Sequence, residues 1–422
     1  MDQHALVELE LGSVAHGGIC VARLDGRVVF VRHGLPGERV RVRLTDDRHA
    51  RYWRGDAVEI LRASPDRVEP PCPHAGPGAC GGCDWQHASL PAQRRLKAAV
   101  VAEQLRRLAE IDYPVEVAEL PGSPDGLGWR TRVRFAVGPD GTVGLRRHRS
   151  HEVMAVPGCP IAHPLVLATA TDRARQPGAA AVEVVTSPET GDAAVTVTPS
   201  DLPTGGPRSS GPGGGTESPG GGTEPPAAPV IVTRRAGGRS FELEPEVFWQ
   251  VHPAAVDTLV GEVLTVLRPA VGETAFDLYG GAGPFAAALA DAVGPTGQVV
   301  LVESEDAAVR AAACSLADLP WVSIRGVRVT APVIANLLPR GQRPDVVVLD
   351  PPRAGAGAHV MRAVLGGAPR AVAYVACDPA SLARDLAVAA EAGYRLASLR
   401  GFDLFPMTAH VECVALLTPN SR

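Results

Sequence analysis

From about residue 251, short apolar runs alternate with amphipathic segments, and this alternation constrains the fold more than any other feature of the sequence. Strands are predicted at 274–278, 299–302, 345–349, 371–375 and 411–417. Helices are predicted at 254–267, 285–293, 306–316 and 381–393. Strands and helices that alternate in this way predict an α/β fold with a doubly wound, Rossmann-like sheet.

The first 62 or so residues show a different pattern, in which short runs alternate polar and apolar positions. Runs at 6–11, 18–22, 27–31 and 39–44 are separated by turn signals such as Asp25-Gly26. This spacing predicts a small OB-like β-barrel, a fold that often binds nucleic acid. An ordinary barrel with a solvated face remains the alternative.

A central β-rich α+β region is predicted between these two parts, with an amphipathic helix at 90–111. Residues 199–230 consist mainly of Gly, Pro, Ser, Thr and Glu, which predicts a flexible insertion. The predicted domains are therefore 1–64 for the barrel, 65–250 for the central domain and 251–422 for the doubly wound domain.

Charge says little about a nucleic-acid partner, since the chain of 422 residues has a net charge of −5. Of its 41 basic residues only Lys97 is a lysine, so the abundance of arginine reflects composition as much as binding. We find no apolar run long enough to span a membrane and no signal peptide. The sequence predicts a cytoplasmic protein without a membrane partner, and it indicates no protein partner or oligomeric state.

Three cysteines, Cys72, Cys80 and Cys83, lie in a loop rich in Gly and Pro, where they cannot pack as core. Cys159, in a second turn-rich segment, supplies a fourth thiol, and His74 and His163 are poorer candidates. In a cytosolic chain such a set suggests a metal site rather than disulfides. Both a [4Fe–4S] cluster and a structural zinc fit, and the spacing does not choose between them.

A glycine-rich stretch, 277–285, follows the first strand of the doubly wound region and leads into a helix. It lacks both the GxGxxG pattern of dinucleotide sites and the Gly-Lys-Ser/Thr of phosphate-binding loops. Glu303 ends the next strand, where a carboxylate suits the hydroxyl pair of a ribose. The loop and this acid fit S-adenosylmethionine better than ATP.

Cys377 stands between a buried strand and a helix, where open α/β sheets keep reactive groups. The helix N-terminus would favour its thiolate, although a buried cysteine is often only core. Glu412, placed within the apolar last strand together with Asp403, supplies a base, with His410 as a rival. Asp350 begins an Asp-Pro-Pro segment typical of amine methyltransferases, but Arg353 stands where those enzymes have an aromatic residue.

Five motifs in order resemble the S-adenosylmethionine-dependent RNA 5-methyluridine methyltransferases, in the branch with an N-terminal TRAM domain and an iron–sulfur cluster. They are the barrel, the four cysteines, DLYGGAGPF, DPPR with YVACDPASLARD, and FPMTAHVE. The resemblance covers residues 5–418 except the insertion. It implies an enzyme that transfers a methyl group to C5 of a uridine through a covalent bond between cysteine and C6.

The resemblance also implies roles for individual residues. Cys377 would be the nucleophile and Glu412 the general base. The cofactor would contact Gln250, Tyr279, Glu303 and Asp350. A [4Fe–4S] cluster would be held by Cys72, Cys80, Cys83 and Cys159. The RNA would be 23S ribosomal RNA rather than transfer RNA.

The chain departs from the family pattern at several positions. Seven residues separate Cys72 from Cys80, more than is usual. His252 and Asp378 each replace an Asn, and the Asp378 carboxylate should raise the pKa of Cys377 unless it points away or pairs with Arg384. The departures at cofactor-contact positions are Pro284 and Arg328.

Three other functions compete with this one. The first is the same chemistry on transfer RNA. The second is a non-catalytic iron–sulfur protein that binds RNA, which would have no use for a cofactor loop together with Cys377 and Glu412. The third is amine methylation, for which Cys377 would be dispensable.

Overall fold

The computed structural model describes residues 6–171, 175–200, 230–339 and 342–420. The predicted insertion at 199–230 falls outside the described residues between 201 and 229.

The first six strands of the described chain form one sheet, in the order β1-β5-β6-β4-β3-β2. They are β1 Leu6–Glu10, β2 Val14–Ala15, β3 Ile19–Leu24, β4 Arg27–Arg32, β5 Arg39–Asp46 and β6 Tyr52–Arg62. The segment after β1 turns back onto β3, where the Gly12 amide donates to the Val21 carbonyl at 2.8 Å. This closes the sheet around an apolar core that includes Val29, Val31 and Val42, as predicted for the barrel.

The central region contains helices and two antiparallel sheets. Its helices are α1 Leu90–Gln104, extended by a π-helical turn at Leu105–Ala109, and α2 Pro164–Thr171. Its strands are β7 Val117–Glu119, β8 Arg132–Val137, β9 Val143–Arg146, β10 Val153–Met154, β11 Ala179–Thr186, β12 Ala193–Pro199, β13 Val232–Ala236 and β14 Arg239–Leu243. Among the described residues β8 to β12 form a five-stranded sheet, and β13 pairs with β14.

The remaining elements build the doubly wound sheet. Its strands are β15 Thr274–Leu278, β16 Gln298–Glu303, β17 Val322–Gly326, β18 Val346–Leu349, β19 Ala371–Ala376, β20 Tyr394–Asp403 and β21 Glu412–Pro419. The helices are α3 Ala255–Leu267, α4 Pro284–Val293, α5 Asp306–Ser315, α6 Ala331–Ile334, α7 Ala358–Gly366 and α8 Pro379–Glu391. Buried Val, Leu and Ala residues fill both faces of these strands, as expected for a sheet covered by helices on two sides.

The sheet order in the described chain is β17-β16-β15-β18-β19-β21-β20-β7. Strands β15 to β19 are parallel, and β21 runs antiparallel between β19 and β20. The predicted fold class is therefore confirmed. At one edge β7 pairs with β20, so the sheet takes a strand from the region before residue 251. The proposed domain limits stay a prediction.

One local expectation was wrong. Residues 403–413 do not form a single strand, because β20 ends at Asp403, a loop spans 404–411, and β21 begins at Glu412. Two of the loop's amides bond to distant side chains instead of to a strand. The Met407 amide donates to Gln93 Oε1 at 2.7 Å and the Ala409 amide donates to Asp84 Oδ2 at 3.0 Å.

Candidate active site

Three chemically active side chains meet where the central strands of the doubly wound sheet end. Asp350 follows β18, and Cys377 follows β19. Because Ala376 is paired with Cys413, the next position in the antiparallel register sets Cys377 opposite Glu412. The structure thus brings together the predicted nucleophile, the predicted base and one predicted cofactor contact.

The thiol of Cys377 is partly buried, and its surroundings oppose ionisation. Burial, followed by the charges of Glu412 and Asp350, raises the pKa of Cys377 to about 12. Arg353 acts in the opposite direction and is the nearby residue whose charge favours the thiolate. In the free protein, the predicted stabilisation of the thiolate by the helix N-terminus is therefore smaller than the effect of burial, which favours the thiol.

Glu412 is almost fully buried, and its Oε1 has no hydrogen-bond partner. Burial, with a further contribution from Asp350, raises the pKa of Glu412 well above its usual range, and Arg353 opposes this. Burial also raises the pKa of Asp350 to about 7. An unpartnered carboxyl oxygen in such a site is free to accept a proton from a substrate.

The rival base, His410, lies two residues before Glu412, and its ring meets the Phe405 ring edge-on at 6.1 Å. Burial, followed by the charge of Arg353, lowers the pKa of His410. Cys413 is fully buried in the core beside Glu412.

Asp378 points away from the thiol, which resolves one departure from the family pattern. It caps α8 by accepting from the Ser381 amide at 2.8 Å, and its other oxygen lies 2.9 Å from His16 Nε2 in the barrel. Its partner is therefore His16 and not Arg384. Local sequence could not indicate this contact, since the two residues lie 362 positions apart.

A cleft opens between the loop after β15 and the segment before α3. Its described lining includes three of the four predicted cofactor contacts, which are Gln250, Tyr279 and Asp350. Phe248, Trp249 and Phe285 add aromatic walls, and Pro284 also lines it. The volume of the cleft is about 50 Å³.

The loop of this cleft has a conformation that needs glycine. Gly283 has a φ of 90°, and a Cβ at this position would lie 2.9 Å from the side chain of Leu316. The fourth predicted cofactor contact, Glu303, accepts from the Gly281 amide at 3.0 Å. Glu303 therefore supports the loop from the end of β16 and does not line the cleft itself. Arg328, the other departure, lies close enough to lower the pKa of Tyr279, against the larger opposing effect of burial.

Asp277 is a buried residue that supports this loop, and this role was not predicted from the sequence. Its Oδ2 accepts from the Ala286 amide at 2.8 Å and ties the end of β15 to α4. Burial raises the pKa of Asp277 to about 7. The position of Asp277 at the end of a buried strand, before the glycines, is the sequence feature that could have indicated this role.

We expect Asp277→Asn to flatten the pH dependence of stability. Because the folded protein holds this proton more tightly than the unfolded chain does, stability is lost as pH rises from about 4 towards 7, by about 2–4 kcal/mol. The variant avoids that loss while keeping an oxygen for Ala286. Urea unfolding at pH 5 and pH 7.5 measures the difference, with exposed Asp112→Asn as the control. If the stability of the variant and that of the wild type changed equally between these two pH values, the raised pKa of Asp277 would be contradicted.

The four predicted metal ligands line one cavity of about 380 Å³, formed by the loop of Cys72, Cys80 and Cys83 and by the turn of Cys159. All four are free thiols. Burial raises the pKa of Cys83 to about 12, the neighbouring thiols add to this shift, and a hydrogen bond with Gln86 opposes it. His74 also lines the cavity, whereas His163 is absent from its described lining.

The charged residues in the described lining of this cavity are all arginines. They are Arg130, Arg134, Arg146, Arg147 and Arg149. Within the described ranges, no group of three or more His, Cys, Asp or Glu side chains is arranged to hold a metal ion. The thiols thus surround a space without converging on a single point.

Comparison with known proteins identifies the family. Residues 5–58 match the TRAM domain model, and residues 238–420 match the model described as tRNA (Uracil-5-)-methyltransferase. An RNA methyltransferase of Streptomyces avermitilis is 47% identical over 98% of both chains. The chain belongs to this family of RNA methyltransferases. A further RNA methyltransferase, from Bifidobacterium longum, is 36% identical over 97% of this chain and 96% of its own.

A solved structure supports the fold of this methyltransferase over most of its length. The tRNA (uracil-54, C5)-methyltransferase of Pyrococcus abyssi, in complex with S-adenosyl-L-homocysteine, has a TM-score of 0.67. The similarity covers 97% of this chain and 99% of that one, at 21% sequence identity. The prediction of an S-adenosylmethionine-dependent RNA (uracil-C5)-methyltransferase is confirmed at the level of the family.

The methyltransferase has, in the part of the chain that the structure describes, no helix with both the length and the apolar character that crossing a membrane requires.

Proposed function

We propose that the protein methylates C5 of a uridine in RNA, with Cys377 as nucleophile and Glu412 as general base. The observation that carries this proposal is the register of β19 and β21, which sets the thiol opposite a buried carboxyl group with a free oxygen. Bound S-adenosylmethionine would supply the methyl group. Gln250, Tyr279 and Asp350 would hold it in the cleft, with Glu303 supporting the loop.

The reaction needs a nucleophile because C5 of uracil alone is too weak to take a methyl group. The Cys377 thiolate bonds to C6, and the electron pair of the C5–C6 double bond moves to C5 and O4. C5 would then take the methyl group of the bound donor, whose bond to the sulfonium sulfur would break with its electron pair staying on sulfur. Glu412 removes the C5 proton, the double bond re-forms, and the bond between Cys377 and C6 breaks.

Residues around the pair support these steps. Arg353 provides the charge that favours the thiolate over the thiol. The high pKa of Glu412, caused mainly by burial, suits a group that takes a proton from carbon. Because the site is partly buried at the ends of central strands, the target uridine must leave its stack to reach it.

The proposed RNA is 23S ribosomal RNA, and transfer RNA is the second candidate. The combination of a barrel with a four-cysteine cavity favours ribosomal RNA, through the resemblance noted above. The Pyrococcus abyssi protein, which acts on tRNA, favours the second. We propose residues 1–64 and the central domain as the RNA-binding parts. A cytoplasmic location follows from either proposed substrate.

The substrate is tested by giving the protein unmodified ribosomal RNA and transfer RNA separately, each with labelled methyl donor, and by analysing the nucleosides. We expect labelled 5-methyluridine from ribosomal RNA. Label in transfer RNA alone would move the proposal to the second candidate, and methylated adenosine or guanosine would contradict the uracil mechanism.

We further propose that Cys72, Cys80, Cys83 and Cys159 hold a [4Fe–4S] cluster. A cavity of about 380 Å³ ringed by four thiols fits a cluster of several ions better than one ion, for which the described side chains do not converge. The arginine lining would offset the negative charge of four thiolates. When bound, such a cluster would cross-link the cysteine loop to the turn of Cys159.

We expect protein purified without oxygen to be brown and to contain iron, and each of the four Cys→Ser variants to lose most of it. Cysteine thiolates are the ligands of such clusters, so loss of one leaves an incomplete site. Cys314→Ser, which changes an exposed cysteine outside the cavity, is the matched control and should keep its iron. A colourless protein loaded with zinc would overturn the assignment.

A further inference from the structure

Lys97 differs in identity from the other basic residues of the chain, and among the described ones it is the most buried. All the others are arginine, and Lys97 is completely buried on α1. On the surface the two residues are often exchangeable, but a buried site distinguishes the compact ammonium group from the planar guanidinium. The compact ammonium group suits this enclosed site, because a planar guanidinium needs more space.

The ammonium group of Lys97 joins the end of one strand to the loop that follows it. Its Nζ donates to Asp403 Oδ1 at 2.5 Å and to the Phe405 carbonyl at 3.0 Å. Asp403 is the last residue of β20 and is buried. Burial lowers the pKa of Lys97, and the adjacent carboxylate opposes that shift.

Gln93, one turn earlier on the same face of α1, holds the same loop at a second point. Its Oε1 accepts from the Met407 amide at 2.7 Å, and its Nε2 donates to the carbonyls of Trp85 and Ala88. Met407 has a φ of 69°, a conformation that ordinary side chains adopt at a cost. Gln93 and Lys97 therefore fix the backbone of the loop 404–411.

This loop ends at Glu412. The Oε1 atom of Glu412 makes no hydrogen bond, so the backbone that carries the residue has a large part in aiming it. Glu412 is paired with Phe402, the neighbour of Asp403. Lys97 thus contacts two parts of the backbone near the base. One is the end of β20, next to the residue that pairs with Glu412, and the other is the loop that precedes Glu412.

We propose that Lys97, together with Gln93, is a positioning residue that holds the loop 404–411 and so aims Glu412 at the C5 proton. This inference rests on the proposed role of Glu412 as the base. Attack by Cys377 and methyl transfer come before proton removal. Loss of the Lys97 contacts should therefore slow release of the RNA from the covalent adduct far more than it slows methyl incorporation.

The test uses Lys97→Met/Asp403→Leu, which removes the ion pair as a unit and leaves no unpaired buried charge. Single-turnover reactions measure methyl incorporation from labelled donor and release of methylated RNA from the denaturation-resistant complex with protein. We expect incorporation within about threefold of wild type and release slowed about 10–100-fold, since general-base catalysis contributes at least that much. Gln93→Met, which keeps the ion pair, should show the same split more weakly.

Arg95→Met is the control on the same helix, because it removes only an exposed pair with Asp66. Glu412→Gln is the reference for a failed base. If Glu412→Gln traps the adduct and neither Lys97→Met/Asp403→Leu nor Gln93→Met does, the positioning role is wrong while the mechanism stands. If Glu412→Gln itself traps no adduct, the proposed base is wrong. Equal slowing of incorporation and release in the double variant would also overturn the positioning role.

Discussion

Cys377→Ala should form no detectable 5-methyluridine, a loss of more than about 10⁴-fold in single-turnover rate, as is typical when a nucleophile is removed. Without the thiol, no bond to C6 forms and C5 never becomes nucleophilic. The wild-type rate should rise with pH, because burial and the neighbouring carboxyl groups raise the pKa of Cys377 to about 12 and the thiolate fraction grows towards that value.

The measurement is labelled methyl transfer to RNA, followed by analysis of nucleosides. Cys314→Ala is the matched control, since it also removes one cysteine but from an exposed site. Equal activity of Cys377→Ala and wild type would support direct methylation of an amine and end the cysteine mechanism.

Glu412→Gln should methylate its RNA once and remain bound to it covalently. The amide cannot remove the C5 proton, so elimination should slow by about 10²–10⁴-fold, the usual contribution of a general base. The variant should fold at least as well as wild type, because an amide is less costly to bury than a carboxyl group that must ionise.

A denaturing gel resolves the adduct as a protein band shifted by RNA and carrying the methyl label. Glu391→Gln, which changes an exposed carboxylate on α8, should show no such band in excess of wild type. Normal turnover by Glu412→Gln would indicate that His410, in the loop just before Glu412, is the base instead.

The sequence was a good guide to the doubly wound sheet where strands are buried on both faces. β15 has the predicted limits, because the apolar run 274–278 coincides with the part of the chain that is enclosed. β20 was missed since it is only partly buried over its first half and carries no continuous apolar run. Burial, rather than propensity, decided which strands could be recognised.

The loop 404–411 shows the opposite error, as an apolar stretch that is not a strand. Two of its amides, those of Met407 and Ala409, donate to Gln93 and Asp84, residues more than 300 positions away in the chain. Local pattern cannot reveal such partners. The same is true of His16 and Asp378, whereas Cys377 was predicted from its place after a buried strand and Glu412 from its place within the apolar last strand.

The pairing of β7 with β20 has a consequence for how this enzyme can be divided. A fragment starting at residue 251 would lose β7 and expose β20 as a free sheet edge. An exposed edge strand can pair with another chain, so such a fragment would be prone to self-association. It would also lose α1 and leave the buried carboxylate of Asp403 without its cation. The catalytic half is therefore not an independent unit. A fusion of it to another RNA-binding domain would have to include residues 90–119.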